Sequence, residues 1–460
     1  FWLKALMPMA PPAQSKRVPW YGASVKTLIK PLGCVIGTVT AALFAFAWTR
    51  EDLAAGIDDV RFAEDKNIVR FSDHCAAPGD GAEGALAQGE AAARPAAWRL
   101  HSALALLGHG DSSAARPWPG DVAPATWDCQ PEALPRYWRL NKHVQFLVIG
   151  QGGAKLDRSF TPDFLPPRPS EVPGESADDY VCAPGQLTAA GFRQAVFLGR
   201  HFAQAYGDLL SRGASGGLAG HEERGDASPR LHVRSVDTKR SLSSAVGLLM
   251  AFLAAPQLVK LFGDSSEVPI HVWPNATGSS SRIEEMELGD HLLARWCHQL
   301  PWPCRKGVLE SERCVSVEQV AATVARGEAE LCRSPYPDVG LSGPSLLASE
   351  VERLRRAEEG AFVLASTDGR TLTAALRLLL GDTVCDSPLS ARPPFASRLV
   401  LERWSDPATA GFRWRVLWNG VDVSAKVKGC SGGADASPAC SEAALAALLD
   451  QRQGVAQTVR

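Results

Sequence analysis

An α/β fold carried behind one membrane-spanning helix is the architecture this sequence predicts, and three observations predict it. Strand-like apolar runs alternate with helical patterns from Trp98 onward, as in a sheet covered by helices. An uncharged run, residues 31–49, lies between Lys30 and Arg50. Beyond that run lie all of the chain's eleven cysteines except Cys34, an even set that points to disulfides and an oxidising space.

Residues 1–30 form a basic tail with Lys4, Lys16, Arg17, Lys26 and Lys30 and no Asp or Glu. The run 31–49, at ~1.5 Å rise per residue, spans roughly the ~30 Å of a bilayer's hydrocarbon core. Trp48 stands at one end, Trp20 and Tyr21 lie beyond the other, and Gly33 and Gly37 have the spacing of a helix–helix contact. The positive tail stays on the cytoplasmic or matrix side. A basic, acid-free start at Phe1 reads as what remains after a transit peptide is removed. That favours the mitochondrial inner membrane with the large domain in the intermembrane space. The alternative is an ER or Golgi membrane with a lumenal domain, where Asn275-Ala276-Thr277 would be a glycosylation sequon.

Residues 50–97 read as a linker, with the low-complexity stretch PGDGAEGALAQGEAAARPA inside it. The globular domain is expected over 98–425, with helical cap insertions, and 426–460 as a C-terminal extension. WRLHSALALLGHG is a buried strand delivering a loop at its end. Thr188 caps a helix whose apolar face is Phe192, Val196, Leu198, Phe202 and Tyr206. LSRGASGGLAGHEERGDASP is an exposed insertion. RLHVRSVD reads as strand into loop and KRSLSSAVGLLMAFLAA as a helix. Residues 345–358 form an amphipathic helix before the strand AFVLAST, TLTAALRLLLG is a helix with a glycine stop, and RLVLERW and RWRVLWNG close as a hairpin. Cys297–Cys304 and Cys430–Cys440 are plausible local bridges.

A net charge of -2 argues against nucleic acid, which needs clustered Lys and Arg. No Cys/His set has zinc spacing, so neither a metal nor another cofactor is predicted. Gly150-Gln151-Gly152-Gly153 lacks the Lys-Ser/Thr of a phosphate loop and reads as a turn.

Four ordered blocks carry a resemblance. They are Gly108-His109-Gly110-Asp111-Ser112; Gly185-Gln186-Leu187-Thr188 with Gly191 and Gln194; Arg234-Ser235-Val236-Asp237 with Arg240 and Ser241; and Ser366-Thr367-Asp368. Pro393 to Leu399 and Arg415 to Gly420 follow as C-terminal strands. In this order they resemble the histidine acid phosphatase family, the branch that includes phytases. The resemblance implies a histidine-phosphatase-like α/β core and a phosphohistidine mechanism. His109 would be the nucleophile, Arg234 a phosphate-binding arginine and Asp368 the acid. It also exposes losses: Gly108 and Ser112 replace arginines and Thr367 replaces a histidine. If the acid is aligned on Thr371 and Leu372 instead, Gly369 takes its place. Removing one such donor costs ~10²–10³ in rate, so roughly 10⁴ or more is expected to be lost here. Neither Arg116 nor Arg370 matches a family position, and neither is expected to substitute. Without its partners His109 could serve packing alone, Arg234 a local ion pair with Asp237 or Asp368, and Asp237 and Arg240 the shape of their loop.

The expectation is therefore a catalytically degenerate membrane protein. It would act as a structural or accessory subunit of a larger membrane complex, such as the mitochondrial ATP synthase or a respiratory complex, with the membrane and other protein subunits as partners. The alternative is an active phosphomonoesterase on a sugar or inositol phosphate in the secretory lumen.

Overall fold

The computed structural model describes residues 74–78, 81–84, 98–115, 118, 121, 127–129, 145–156, 182, 184–215, 230–262, 267–273, 281–306, 312–333, 343–385, 392–407, 410–430 and 439–458. The expected tail, membrane helix, sequon and exposed insertion after Ser215 lie outside them. Among the described residues no helix is long and apolar enough to cross a membrane.

In chain order the elements are β1 (Arg99–Gly108), β2 (Gln145–Ile149), α1 (Ala189–Ser215), β3 (Leu231–Val236), α2 (Lys239–Leu253), α3 (Pro256–Phe262) and β4 (Glu267–Trp273). Then come α4 (Ser281–Cys297), β5 (Cys304–Lys306), β6 (Glu312–Cys314), α5 (Val317–Arg333) and α6 (Gly343–Arg356). The last are β7 (Ala361–Thr367), α7 (Gly369–Leu380), β8 (Arg398–Asp406), β9 (Gly411–Trp418), β10 (Val421–Asp422), β11 (Cys440–Ser441) and α8 (Glu442–Thr458). The main sheet runs β10-β9-β8-β1-β7-β3-β4-β2, with β11 added to β9. Strands β1, β7, β3, β4 and β2 are parallel, and β8 returns antiparallel to β1.

The apolar pattern of β1 explains its place in the middle. Ala103, Ala105 and Leu107 enter one core cluster and Leu104 and Leu106 the other, so both faces are covered and the strand reads as an unbroken apolar run. Residues of α1, α2 and α3 build the first cluster, and α6, α7 and α8 the second. The expected helix face of α1 is buried throughout. Thr188 caps it, accepting from Gly191 N at 3.0 Å. Between β4 and α6 the chain leaves the core to build α4, the β5–β6 hairpin and α5, the expected cap insertion.

Two boundaries move. The stretch read as linker contains packed chain. Ala77 N donates to Phe395 O at 2.8 Å and Ala82 N to Gly420 O at 2.9 Å. Glu83, fully buried, pairs with Arg398 at 2.5 Å and His201 at 2.8 Å. A Gly- and Ala-rich composition hid one buried carboxylate that fixes the segment. The C-terminal extension is also part of the core, because Cys440, Leu445 and Leu449 join the second cluster.

All ten cysteines beyond Cys34 pair, as Cys75–Cys297, Cys129–Cys182, Cys304–Cys314, Cys332–Cys385 and Cys430–Cys440. Cys430–Cys440 was expected. Cys297–Cys304 does not form: β5 faces β6, which brings Cys304 to Cys314 and leaves Cys297 to the distant Cys75.

Candidate active site

The carboxyl ends of β1 and β7 lie side by side, with Gly108 level with Thr367. Ligands of open α/β sheets bind outside such strand ends. A small cavity of about 60 Å³ opens there. His109, Arg240, Glu287, Asp290, Asp368, Arg370, Arg392 and Phe395 are among the residues that line it.

The second sequence block builds the loop that carries His109. Thr188 N donates to Asp111 O at 3.0 Å, and Thr188 Oγ1 donates to Asp111 Oδ2 at 2.5 Å. Gln194 ties two strands of chain together, accepting from Asp111 N at 2.9 Å and donating to Cys75 O at 2.9 Å. A methyl group on Gly191 would stand 2.0 Å from Asp111 O, so only glycine lets the helix start touch the loop. The third block closes the other side. Ser244 Oγ donates to Arg240 O at 2.8 Å and accepts from Gly110 N at 3.0 Å.

His109 Nδ1 lies 2.8 Å from Gly110 O. A carbonyl only accepts, so Nδ1 carries the proton and the Nε2 lone pair is left for the cavity. Burial, and next the Arg240 charge, pull the imidazole down to about 4, so it is neutral at pH 7. Phe395 tilts against the ring at 6.1 Å between centroids.

Asp368 stands at the start of α7 and caps it, accepting from Thr371 N at 2.8 Å. Burial would raise its pKa, but the charge of Arg370 and the hydrogen bonds from Thr371 outweigh that and hold the carboxyl well below the usual range. Gly369, the other candidate for that position, lines the cavity beside it. Thr367, in the place of the family's second histidine, is fully buried, and its hydroxyl has no hydrogen-bond partner among the described residues.

Arg234 is not among the residues lining the cavity. Its guanidinium pairs with Glu350 on α6, not with Asp237 or Asp368, and lies 5.2 Å from the Trp273 ring centroid. The strand alternation of β3 aims it there, on the face that α6 covers. Three other arginines line the cavity instead: Arg240, Arg370 and Arg392. Both Arg240, expected to shape its loop, and Arg370, not expected to substitute for a missing arginine, thus stand at the cavity. Arg370 pairs with Asp368 at 2.9 Å and Arg392 with Asp290 at 3.4 Å. Arg240 makes no ion pair with a described residue. Arg392 packs against α4, where a methyl group on Gly289 would meet its Nη1 at 2.5 Å.

Sequence reasoning missed Arg392, Glu287 and Asp290 because they come from the cap helix and from a loop before β8, outside every block. It also missed His298, which bonds Asp111 Oδ2. Burial alone would lower that imidazole, but the hydrogen bond and charge of Asp111 raise it.

No family model matches the chain. A 2-phosphoxylose phosphatase 1 of Xenopus tropicalis is 32% identical over 150 residues, 31% of this chain and 28% of that protein. The Danio rerio protein of the same name is 25% identical over 399 residues, 72% of this chain and 74% of its own length. Among solved structures, the phytase from D. castellii superposes with a TM-score of 0.45 at 13% identity, covering 86% of this chain and 89% of that one.

Proposed function

We propose, from the four ordered blocks that resemble the histidine acid phosphatase family, that the cavity before His109 binds a phosphomonoester and that His109 cleaves it. The observation that carries this is the imidazole itself: neutral, with Nδ1 committed to Gly110 O and Nε2 left to face a cavity lined by three arginines. Arginine suits a transferring phosphoryl group, because its donors form a fork that matches the phosphate oxygens. Arg240 provides the first contact, since the other two already hold carboxylates.

The relatives' name gives the substrate class to test first, a singly phosphorylated sugar. Five disulfides suit an oxidising compartment, and a lumenal enzyme accommodates them without a larger assembly. No observation on the described residues favours an accessory subunit of a mitochondrial complex.

One set of substitutions supports a second reading, an anion-binding site without turnover. Gly108, Ser112 and Thr367 remove two arginines and a histidine that the family keeps around its nucleophile. One experiment separates the two. The full chain in detergent is assayed with para-nitrophenyl phosphate. Turnover that His109→Ala abolishes establishes the phosphatase. Thermal stabilisation by millimolar phosphate, lost in Arg240→Ala and unaccompanied by turnover, establishes the binding site.

A further inference from the structure

We propose that His298, at the foot of the cap, is a positioning residue: as an imidazolium it is the counter-ion of Asp111, and it thereby holds the peptide that orients His109. The effect on turnover rests on the phosphomonoesterase reading above; the ion pair does not. The peptide unit between Gly110 and Asp111 is held on both sides. Its carbonyl, Gly110 O, accepts from His109 Nδ1 at 2.8 Å. Its N–H, that of Asp111, donates to Gln194 Oε1 at 2.9 Å. The unit is planar, so a turn that spoils one bond spoils the other. The Asp111 side chain lies 3% exposed, and Thr188 Oγ1 and His298 Nε2 both bond its Oδ2. Its Oδ1 is buried with no hydrogen-bond partner among the described residues. A buried carboxylate needs an opposite charge, and His298 is the group that pairs with it among the described residues.

A second feature ties the cap to the same peptide. His298 continues the last turn of α4, its N donating to Ala294 O at 3.1 Å, and directly follows Cys297. Cys297 is joined to Cys75, and Cys75 O accepts from Gln194 Nε2 at 2.9 Å. A closed circuit thus runs from Asp111 through His298, the disulfide and Gln194 back to Asp111. His298 itself is not among the residues lining the cavity, so it acts through Asp111.

The surroundings of His298 suit the charged form. Asp111 meets it from the loop after β1, and the charge of Asp128 reaches it from the segment before α1. Trp127 stands edge-on to His298 at 5.4 Å and to His291 at 6.4 Å, and Arg295, three residues earlier, is engaged by Asp121. Burial alone would lower the His298 imidazole, but the Asp111 hydrogen bond and the charges of Asp111 and Asp128 raise it above 6.5. The pairing is therefore complete below pH 6.5, and its charge is lost as pH rises through the raised value. A neutral His298 still donates from Nε2, but the buried carboxylate then has no counter-ion. It is drawn toward water, and the Gly110–Asp111 peptide turns with it, loosening the hold on His109 Nδ1.

Two measurements on the full chain in detergent test this. The first is the His298 titration, read from histidine ring carbons by NMR and assigned by its loss in His298→Gln. Its midpoint is expected above 6.5 in the unaltered protein and at or below 6.5 in Asp111→Asn. A midpoint that Asp111→Asn leaves in place overturns the ion pair. The second is kcat/KM for para-nitrophenyl phosphate from about pH 5 to 9. The unaltered protein loses rate through the His298 midpoint. His298→Gln keeps a donor without the charge; below that midpoint it is slower by ~10–10²-fold, the cost of about an ångström of misplacement, and its alkaline limb is gone. Asp111→Asn/His298→Gln, a neutral pair that needs no counter-ion, recovers most of the loss. A loss in His298→Gln that is equal at every pH and is not recovered in the double variant makes His298 a packing residue and overturns the positioning role. Absence of turnover by the unaltered protein overturns the phosphatase reading and the catalytic consequence with it, while the titration still decides the ion pair.

Discussion

Replacing Glu83 by alanine should cost the domain about 3 kcal/mol, although the residue lies in a stretch whose composition reads as a linker. The carboxylate is fully buried between Arg398, 1% exposed, and His201, 8% exposed. Burial alone would raise its pKa, yet His201 and Arg398 together lower it from 4.5 to about 2. At ~1.4 kcal/mol per unit, that shift corresponds to about 3 kcal/mol of preferential stabilisation of the charged form. The figure agrees with the ~3–5 kcal/mol lost when one partner of a buried ion pair is removed and the other is left uncompensated. Because the folded pKa is depressed, this contribution is complete above pH 4.5 and disappears as pH falls toward 2. The assay is urea unfolding at pH 7 with the disulfides intact, comparing midpoints at unchanged slope. A Glu83→Leu/Arg398→Met double variant should recover most of the loss, since apolar packing replaces a buried pair at little cost. A loss under about 1 kcal/mol in Glu83→Ala would refute the reasoning and return the segment to the status of a linker.

The acid limb of kcat/KM should lie near pH 4, where His109 takes up a proton, and a limb centred near 6.5 would show an imidazole unlike the one described. Below pH 6.5 the unfolded chain protonates His74 and His109 before the native one does, because burial holds both near 4 in the fold. Stability is therefore lost from about pH 6.5 down to 4, a loss that begins well above the pH 4.5 at which that of Glu83 sets in, and a melting temperature that stays flat from 6.5 to 4.5 would contradict this. Opening Cys75–Cys297 by a Cys75→Ser/Cys297→Ser pair releases a 222-residue closure. The expected cost is ~2–5 kcal/mol by calorimetry, with a rise in KM because α4 carries Glu287 and Asp290; an unchanged KM would separate the cap from the site.

Most of the scaffold was legible because it is written in local periodicity. The unbroken apolar run of β1, the capped face of α1 and the β8–β9 hairpin each follow from neighbouring residues. Thr188, Gly191 and Gln194 were legible as a block, and the structure gives the block its physical reason, which is to hold the loop after His109. The charges of the cavity were not legible. Arg234 sits at a recognisable position, but its direction depends on Glu350, more than a hundred residues away. Arg392, Glu287 and Asp290 meet His109 only through the long return of the cap, and no sequence spacing records that meeting. Glu83 was hidden for the same reason, since its partners Arg398 and His201 are distant in the chain.

The contact of Gly191 with the backbone of Asp111 bears on how such a site can change over generations. The path of the loop that presents His109 is set by main-chain atoms, the close approach of a glycine and the amides of Gly110 and Asp111. None of those groups belongs to the set of charges that meets a ligand. Scaffold and electrostatics are thus inherited on separate residues. A lineage can exchange an arginine beside the histidine for serine or glycine, and recruit another from a cap or a loop, while the presented imidazole stays where it was.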